Sequence, residues 1–242
     1  DVSELTVTVN SMLDRLEAAL SGQRQLLDDV GHELKTPITI VRGHLELMDA
    51  SSVDEVAETR ELSIDELDRM AGLVRDISDL AQTQRLHLRI EPTDIGALTR
   101  RVRDKAVALS SDHEWVVESA APVVALVDPE RLTQALLQLC ANAISHGGSD
   151  GRIEVGSAVN YNRLLLWVRD HGPGIEPELQ STIFERFRRG TPGRGDGGSG
   201  LGLAIVSVIA ASHGGAIAVA SVVGDGARFT IDIPLTEANG AA

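Results

Sequence analysis

A helical hairpin followed by an α/β sandwich is the fold class the sequence predicts, and three observations carry that prediction. Apolar residues recur at steps of three and four over two long stretches before residue 90. That pattern breaks at Glu91-Pro92, where the residue before a proline is pushed out of the helical region. Beyond the break, apolar runs of strand length alternate with helical stretches bounded by caps and glycine turns. With 242 residues and 43% hydrophobic content, the chain suffices for one globular core plus a smaller helical unit.

From about Ser11 to Met48, the residues Leu26, Val30, Leu34, Ile38, Val41, Leu45 and Met48 form a seam of coiled-coil type. A second seam runs through Val56, Leu62, Ile64, Leu67, Val74, Ile77 and Leu80, after the short polar stretch Asp49 to Asp54. So short a connection makes the two helices antiparallel neighbours. One buried stripe per helix is too little for independent stability, so a homodimer closing a four-helix bundle is expected. The domain boundary is placed near Ile90. Asp128-Pro129 reads as a cap with proline at the first helical position, opening a helix to about Ser145. Arg152 to Val159 and Arg163 to Arg169 read as strands around Asn160-Tyr161-Asn162, and Leu164 to Val168, apolar at every position, should be central in a covered sheet. Leu201 to His213 reads as a helix. Strands at Ala216 to Val222 and Arg228 to Ile233 then flank Gly224-Asp225-Gly226.

Composition excludes some functions. A net charge of −14 and 2% aromatic residues argue against nucleic acid as a partner, because phosphates are repelled and bases find little to stack on. The single cysteine, Cys140, sits among Leu136, Leu139 and Ile144 and reads as a buried thiol in a reducing compartment. No apolar run approaches the roughly 20 residues that span a bilayer, and the acidic start does not resemble a signal peptide, so solubility is expected. Lys35 and Lys105 are the only lysines. A phosphate contact beyond residue 105 must therefore come from arginine, backbone amides or a metal.

On the first helix, His32 lies about 200° from Val30 and about 160° from Leu34, so it projects away from the seam and should be exposed. Thr36 lies one turn on along the same face, Glu33 is adjacent, and Pro37 removes the amide that would bond the Glu33 carbonyl, which should bend the helix. An imidazole with one bare nitrogen can attack phosphorus while a neighbouring carboxylate holds the other nitrogen's proton. Taken alone, an exposed helical histidine is usually just solvated, as the other six are read, His44 among them. The full string His32-Glu33-Leu34-Lys35-Thr36-Pro37 resembles the phosphoacceptor box of histidine kinases. That resemblance implies His32 as phosphoacceptor, Glu33 as acid/base partner, and Thr36 as the residue positioning water when a response regulator is dephosphorylated.

Along the Pro129 helix, Leu132, Leu136, Leu139 and Ala143 make the buried face, while Gln134, Gln138, Asn142 and His146 form an uncharged polar stripe. The stripe could simply face water, but amides placed there could also ligate hydrated Mg²⁺ without adding charge against a triphosphate. The segment resembles the asparagine box of the histidine-kinase and gyrase-type ATPases, with Asn142 at the metal-binding position. Two departures stand out. Gln138 replaces the usual first asparagine, where hydrolysing relatives carry a water-activating glutamate, and Ser145 stands where a phosphate-contacting lysine is common. A neutral amide cannot be that base, which favours transfer over hydrolysis.

Asp170-His171-Gly172-Pro173-Gly174 puts a carboxylate at a strand end beside glycines, which a tight turn would explain equally well. The string resembles the family's Asp-x-Gly-x-Gly box, implying that Asp170 accepts from the adenine amine, with Gly172 and Gly174 allowing close approach. Ile183 to Arg189 resembles the phenylalanine box before a mobile lid, with Phe187 at the nucleotide and Arg189 chosen for a phosphate contact. Gly198-Ser199-Gly200-Leu201-Gly202-Leu203 opens a helix whose amides can cradle phosphates, and it resembles the family's second glycine box, which implies Gly198, Gly200, Leu201 and Gly202 as binding positions. Alone it is a weak signal, and it fits neither a dinucleotide fingerprint nor a Gly-Lys-Ser/Thr loop.

The five boxes stand in family order over roughly residues 20 to 235. The resemblance implies a sensor histidine kinase of two domains, the second an α/β sandwich of the histidine-kinase/gyrase/Hsp90 ATPase type, that uses ATP and Mg²⁺ to phosphorylate His32 and then an aspartate on a response regulator. Residues 1–20, with Asn10 to Leu16, resemble the end of a HAMP linker, residues 21–89 the dimerisation and phosphotransfer domain, and 90–236 the catalytic domain. Residues 237–242 read as a tail. In such proteins the linker leads to a transmembrane helix, so this would be the cytoplasmic portion of a plasma-membrane sensor. The rival readings are a dimeric ATPase and an ATP-regulated scaffold without autophosphorylation.

Overall fold

The computed structural model describes residues 2–84, 88–147, 151–188 and 199–236, the side chains of 2–8, 11–26 and 82–84 lying outside that description. Contacts divide the chain into two units, residues 1–71 and 72–242.

In the first unit, helix α1 spans Val2–Leu47 and continues through Pro37, and helix α2 starts at Val53 and runs to Gln84, its later turns belonging to the second unit. The turn between them is built by Asp49, whose carboxylate accepts from the amide and hydroxyl of Ser51, and by Ser52, whose hydroxyl accepts from the Glu55 amide as a helix cap. These bonds to the ionised form hold the Asp49 carboxyl below its usual range. The seam is only partly covered. Ile38, Leu45 and Leu67 remain 53%, 54% and 56% exposed. With Val41 and Met70 they line an open apolar groove of about 370 Å³.

In the second unit, strands β2 (Glu114–Ser119), β4 (Arg152–Asn160), β5 (Arg163–Arg169), β6 (Ala216–Ser221) and β7 (Ala227–Pro234) form one sheet in the order β2-β4-β5-β7-β6. Only the β2/β4 pair is parallel. Two short strands, β1 (Glu91–Asp94) and β3 (Val124–Val127), pair apart from it. Helices α3 (Ile95–Leu109), α4 (Pro129–His146) and α6 (Gly202–Ser212) pack on the sheet, and the one-turn α5 (Pro177–Gln180) lies by β6. Alternation decides the core: Ile153, Val155, Leu164, Leu166, Val168, Phe229, Ile231 and Ile233 are buried against Leu98, Leu132, Leu136, Leu139, Ile205 and Ile209.

The all-apolar strand is indeed central, but its second face is covered by side chains rather than by a layer of helices. The Trp167 indole donates to Glu118 Oε2 at 2.6 Å and lies under the Arg228 guanidinium, 4.1 Å from the ring centre. Its room comes from Gly156 on the neighbouring strand, where a Cβ would sit 2.2 Å from the indole. Strands β1 to β3 and helix α3, between residues 91 and 119 and at 124–127, are elements that the sequence reading does not resolve.

Candidate active site

His32 stands exposed on α1, as its angular position predicts. Glu33 is half-buried, and Thr36 is exposed, its hydroxyl donating to the His32 carbonyl over a long 3.4 Å. The turn thus presents an imidazole to solvent with a carboxylate beside it in sequence. His44 is also exposed, in the last turn of α1.

The second place is built where α4 ends against the loop after β5. Asp128 caps α4, its carboxylate accepting from the Arg131 amide at 3.0 Å, and Pro129 follows at the first helical position. The expected buried face is seen, and it includes Cys140, whose thiol burial pushes up to about 12, an inert group. Gln134, Gln138 and Asn142 are half-buried on the polar stripe, while Ser145 and His146 are exposed.

Asp170 is 5% exposed directly after β5. Its Oδ1 accepts from the amides of Gly172 at 2.9 Å and Ala227 at 3.3 Å, and no described residue donates to Oδ2. Burial holds its carboxyl above the usual range, although both amides and the nearby His171 and His146 oppose that shift. Gly172 lets the loop touch the helix end, since a Cβ there would fall 2.6 Å from the His146 carbonyl oxygen. Gly174 sits in the left-handed region at φ +74°.

The phenylalanine segment and the glycine run meet. The Phe187 amide donates to the Gly200 carbonyl at 2.9 Å, and Gly200, at φ +71°, passes so close that a Cβ would lie 2.8 Å from Phe187 Cα. Leu201 then precedes α6, its amide bonded to the Ser199 hydroxyl, and Gly202 brings the helix start to within 3.0 Å of Gln138 Oε1, measured from where its Cβ would be. The α4 stripe and the α6 start therefore form one locus. Arg189 and Gly198 lie outside the described residues.

Chemically, this unit offers a desolvated acceptor at one end, helix-start amides at the other, and neutral amides between them. That is the layout of a nucleotide-binding phosphoryl-transfer domain. Residues 127–237 match the family described as histidine kinase-, DNA gyrase B- and HSP90-like ATPase, and residues 22–85 match the His Kinase A (phospho-acceptor) domain. The chain is 36% identical to a probable sensor histidine kinase, TcrY of Mycobacterium tuberculosis, over 97% of this chain and 52% of that protein. It is 31% identical to the solved structure of a mycobacterial sensor histidine kinase, MprB, covering 61% of this chain and 99% of that one, with a TM-score of 0.53. The crystal structure of the histidine kinase ThkA in complex with the response regulator protein TrrA is similar at TM-score 0.69 and 25% identity, over 88% of this chain and 61% of that one. The chain belongs to the sensor histidine kinases. It spans about half the length of the curated relatives it matches.

Sequence reasoning missed the Ala227 amide on Asp170, the Ser199 hydroxyl bonded to both Asp76 and the Leu201 amide, and the placement of His146 and His171 around Asp170. A backbone amide from a distant strand leaves no mark on a sequence. His146 had a signal, its step of four along the amide stripe.

Proposed function

We propose that this chain is the kinase part of a membrane-anchored sensor, which binds ATP in residues 90–236, phosphorylates His32, and passes the phosphoryl group to an aspartate on a response regulator. The observation that carries the reading is the pairing, in one chain, of an exposed His32 in its Glu-Leu-Lys-Thr-Pro context with the buried Asp170 acceptor. Asp170 Oδ2 accepts from the exocyclic amine of adenine, a donor that guanine lacks at that position. Amides at the start of α6 and Arg189 meet the phosphates. One imidazole nitrogen of His32 bonds to the γ-phosphorus as the bond to ADP breaks, and Glu33 holds or takes the proton on the other nitrogen.

The donors suit hydrated Mg²⁺ held on phosphate: Asn142 and Gln138 are neutral amides on one face of α4, and no described group of three or more His, Cys, Asp or Glu forms a protein cage. Mg²⁺, when bound, draws charge from the phosphate oxygens. Asn142 is the residue assigned to it. The exposed groove of Ile38, Leu45 and Leu67 supports a homodimer in which a second hairpin completes a four-helix bundle. No described helix is long and apolar enough to cross a membrane; the resemblance of residues 1–20 to the end of a HAMP linker is what supports a membrane-anchored parent.

The test is labelling with γ-labelled ATP. Wild type takes up acid-labile label, and His32→Gln loses it while binding ATP as before. Label retained in His32→Gln would move the acceptor elsewhere. ATP turned over to free phosphate with no labelled protein would favour the ATPase reading.

A further inference from the structure

Helix α4 starts without the usual partner for its first amide. Asp128 is buried, 4% exposed, and both its carboxylate oxygens are engaged, Oδ1 by the Arg131 amide and Oδ2 by the Arg89 amide at 2.9 Å. A capping box would use a Glu or Gln three residues on to accept the cap residue's own N–H, but that position is Arg131. The Asp128 N–H donates instead to His213 Nε2, 3.2 Å away and 85 residues later. His213 caps the end of α6, and its Nδ1 bonds the Ile209 carbonyl at 2.9 Å. The two bonds define the tautomer: Nε2 accepts, so Nδ1 carries the proton. One imidazole accepts from an orphan amide at the start of one helix and adds a second donor to the Ile209 carbonyl at the end of the other, which also accepts from the His213 amide at 3.2 Å.

Those two helices carry opposite sides of the nucleotide site, on whose assignment this inference rests. They run antiparallel, because the start of α6 meets Gln138 and its end meets Asp128. Near Gln138 no hydrogen bond among the described residues joins them. At the far end, about 16 Å away along eleven residues of helix, they are pinned by a directional bond. We infer that His213 is a positioning residue of the nucleotide site, a cap shared between α4 and α6 that sets the spacing of the phosphate-facing helix start from the Asn142 face. It touches no nucleotide and acts through Asp128.

The two halves of this role can be separated by substitution. In His213→Gln the amide oxygen reaches the place of Nε2 and keeps the bond from Asp128, whereas in His213→Asn the shorter amide keeps only the bond to Ile209 and leaves a residue well suited to a helix end. ATP affinity is measured by calorimetry below the melting temperature of each variant, with exchange of the Asp128 amide followed in parallel. The expected result is wild-type affinity and a protected Asp128 amide in His213→Gln, and about fivefold weaker ATP binding with fast exchange in His213→Asn. A merely local cap gives the reverse order, Asn intact and Gln impaired, and would overturn the inference, as would equal affinity in both with exchange changed. Absence of ATP binding by wild type would remove the nucleotide assignment itself, a result distinct from either order.

Discussion

Ala227 opens strand β7 with its amide aimed at Oδ1 of Asp170, 3.3 Å away, although 57 residues separate them in sequence. Together with the Gly172 amide it satisfies one carboxylate oxygen and orients the other, which would preorganise the acceptor proposed for adenine. That orientation is bought with desolvation, which raises the carboxyl above its ordinary range.

Asp170→Asn should therefore bind ATP more weakly, by about 1–3 kcal/mol, because the amide can present a donor to the adenine amine. Without nucleotide, the same variant should melt higher than wild type at neutral pH. A carboxyl whose folded pKa is raised binds its proton more tightly when folded, so wild type loses stability as pH rises through that range, and the neutral amide does not. The gap in Tm should close as pH falls and Asp170 protonates. Calorimetry and melts from pH 7 downward check both; equal ATP affinity in the two proteins would reduce Asp170 to a turn residue.

Thr36→Ala should keep autophosphorylation within about twofold and slow dephosphorylation of a phosphorylated response regulator by more. The Thr36 hydroxyl makes only a long 3.4 Å bond to the His32 carbonyl, so helix geometry does not depend on it, and its exposure leaves it free to bind water. Parallel losses in both assays would assign the residue to helix geometry alone.

How far the sequence could be read follows from how local each cause is. The hairpin, the β5 strand and α4 were legible because their signals are periodic or adjacent: Leu164 to Val168, the Asp128-Pro129 cap, the steps of four from Gln134 to His146. Strands β1 and β3 were not, being four residues each, with Pro92 inside one, too short for a period of two to show. Of the candidate site, Asp170, Asn142 and Gly200 are the positions that motifs mark. What holds them, the Ala227 amide, the Phe187-to-Gly200 bond and the His213 cap, joins residues far apart in sequence and is set by topology.

Leu67→Glu should prevent formation of the proposed dimer while leaving each hairpin helical. Leu67 is 56% exposed and faces the open groove, so a single chain tolerates a charge there. In a bundle the carboxylate would be desolvated in a groove whose cation, Arg42, is already paired with Glu46 at 2.6 Å, raising the dissociation constant by about a hundredfold. Sedimentation across a concentration series checks the mass, and an unchanged dimer would place the interface elsewhere.

Ser145→Lys addresses the position where the chain lacks the lysine common in its family. Ser145 is exposed on α4 three residues after Asn142, so one helical turn places it on the same side of the helix, and a long cation there can reach a triphosphate that a serine hydroxyl cannot. No lysine is available to a phosphate beyond residue 105, because Lys105 is the last one. A charge-assisted contact in a partly hydrated site should contribute about 1 kcal/mol, a roughly fivefold lower dissociation constant for ATP. ADP should gain less if the contact is to the γ-phosphate. Raising the salt should shrink the gain, since an exposed charge is screened within about 10 Å at 0.1 M. Calorimetry with both nucleotides at two ionic strengths checks all three expectations. Equal or weaker ATP binding at low salt would mean that residue 145 points away from the phosphates or that Arg189 or Arg194 already holds that place.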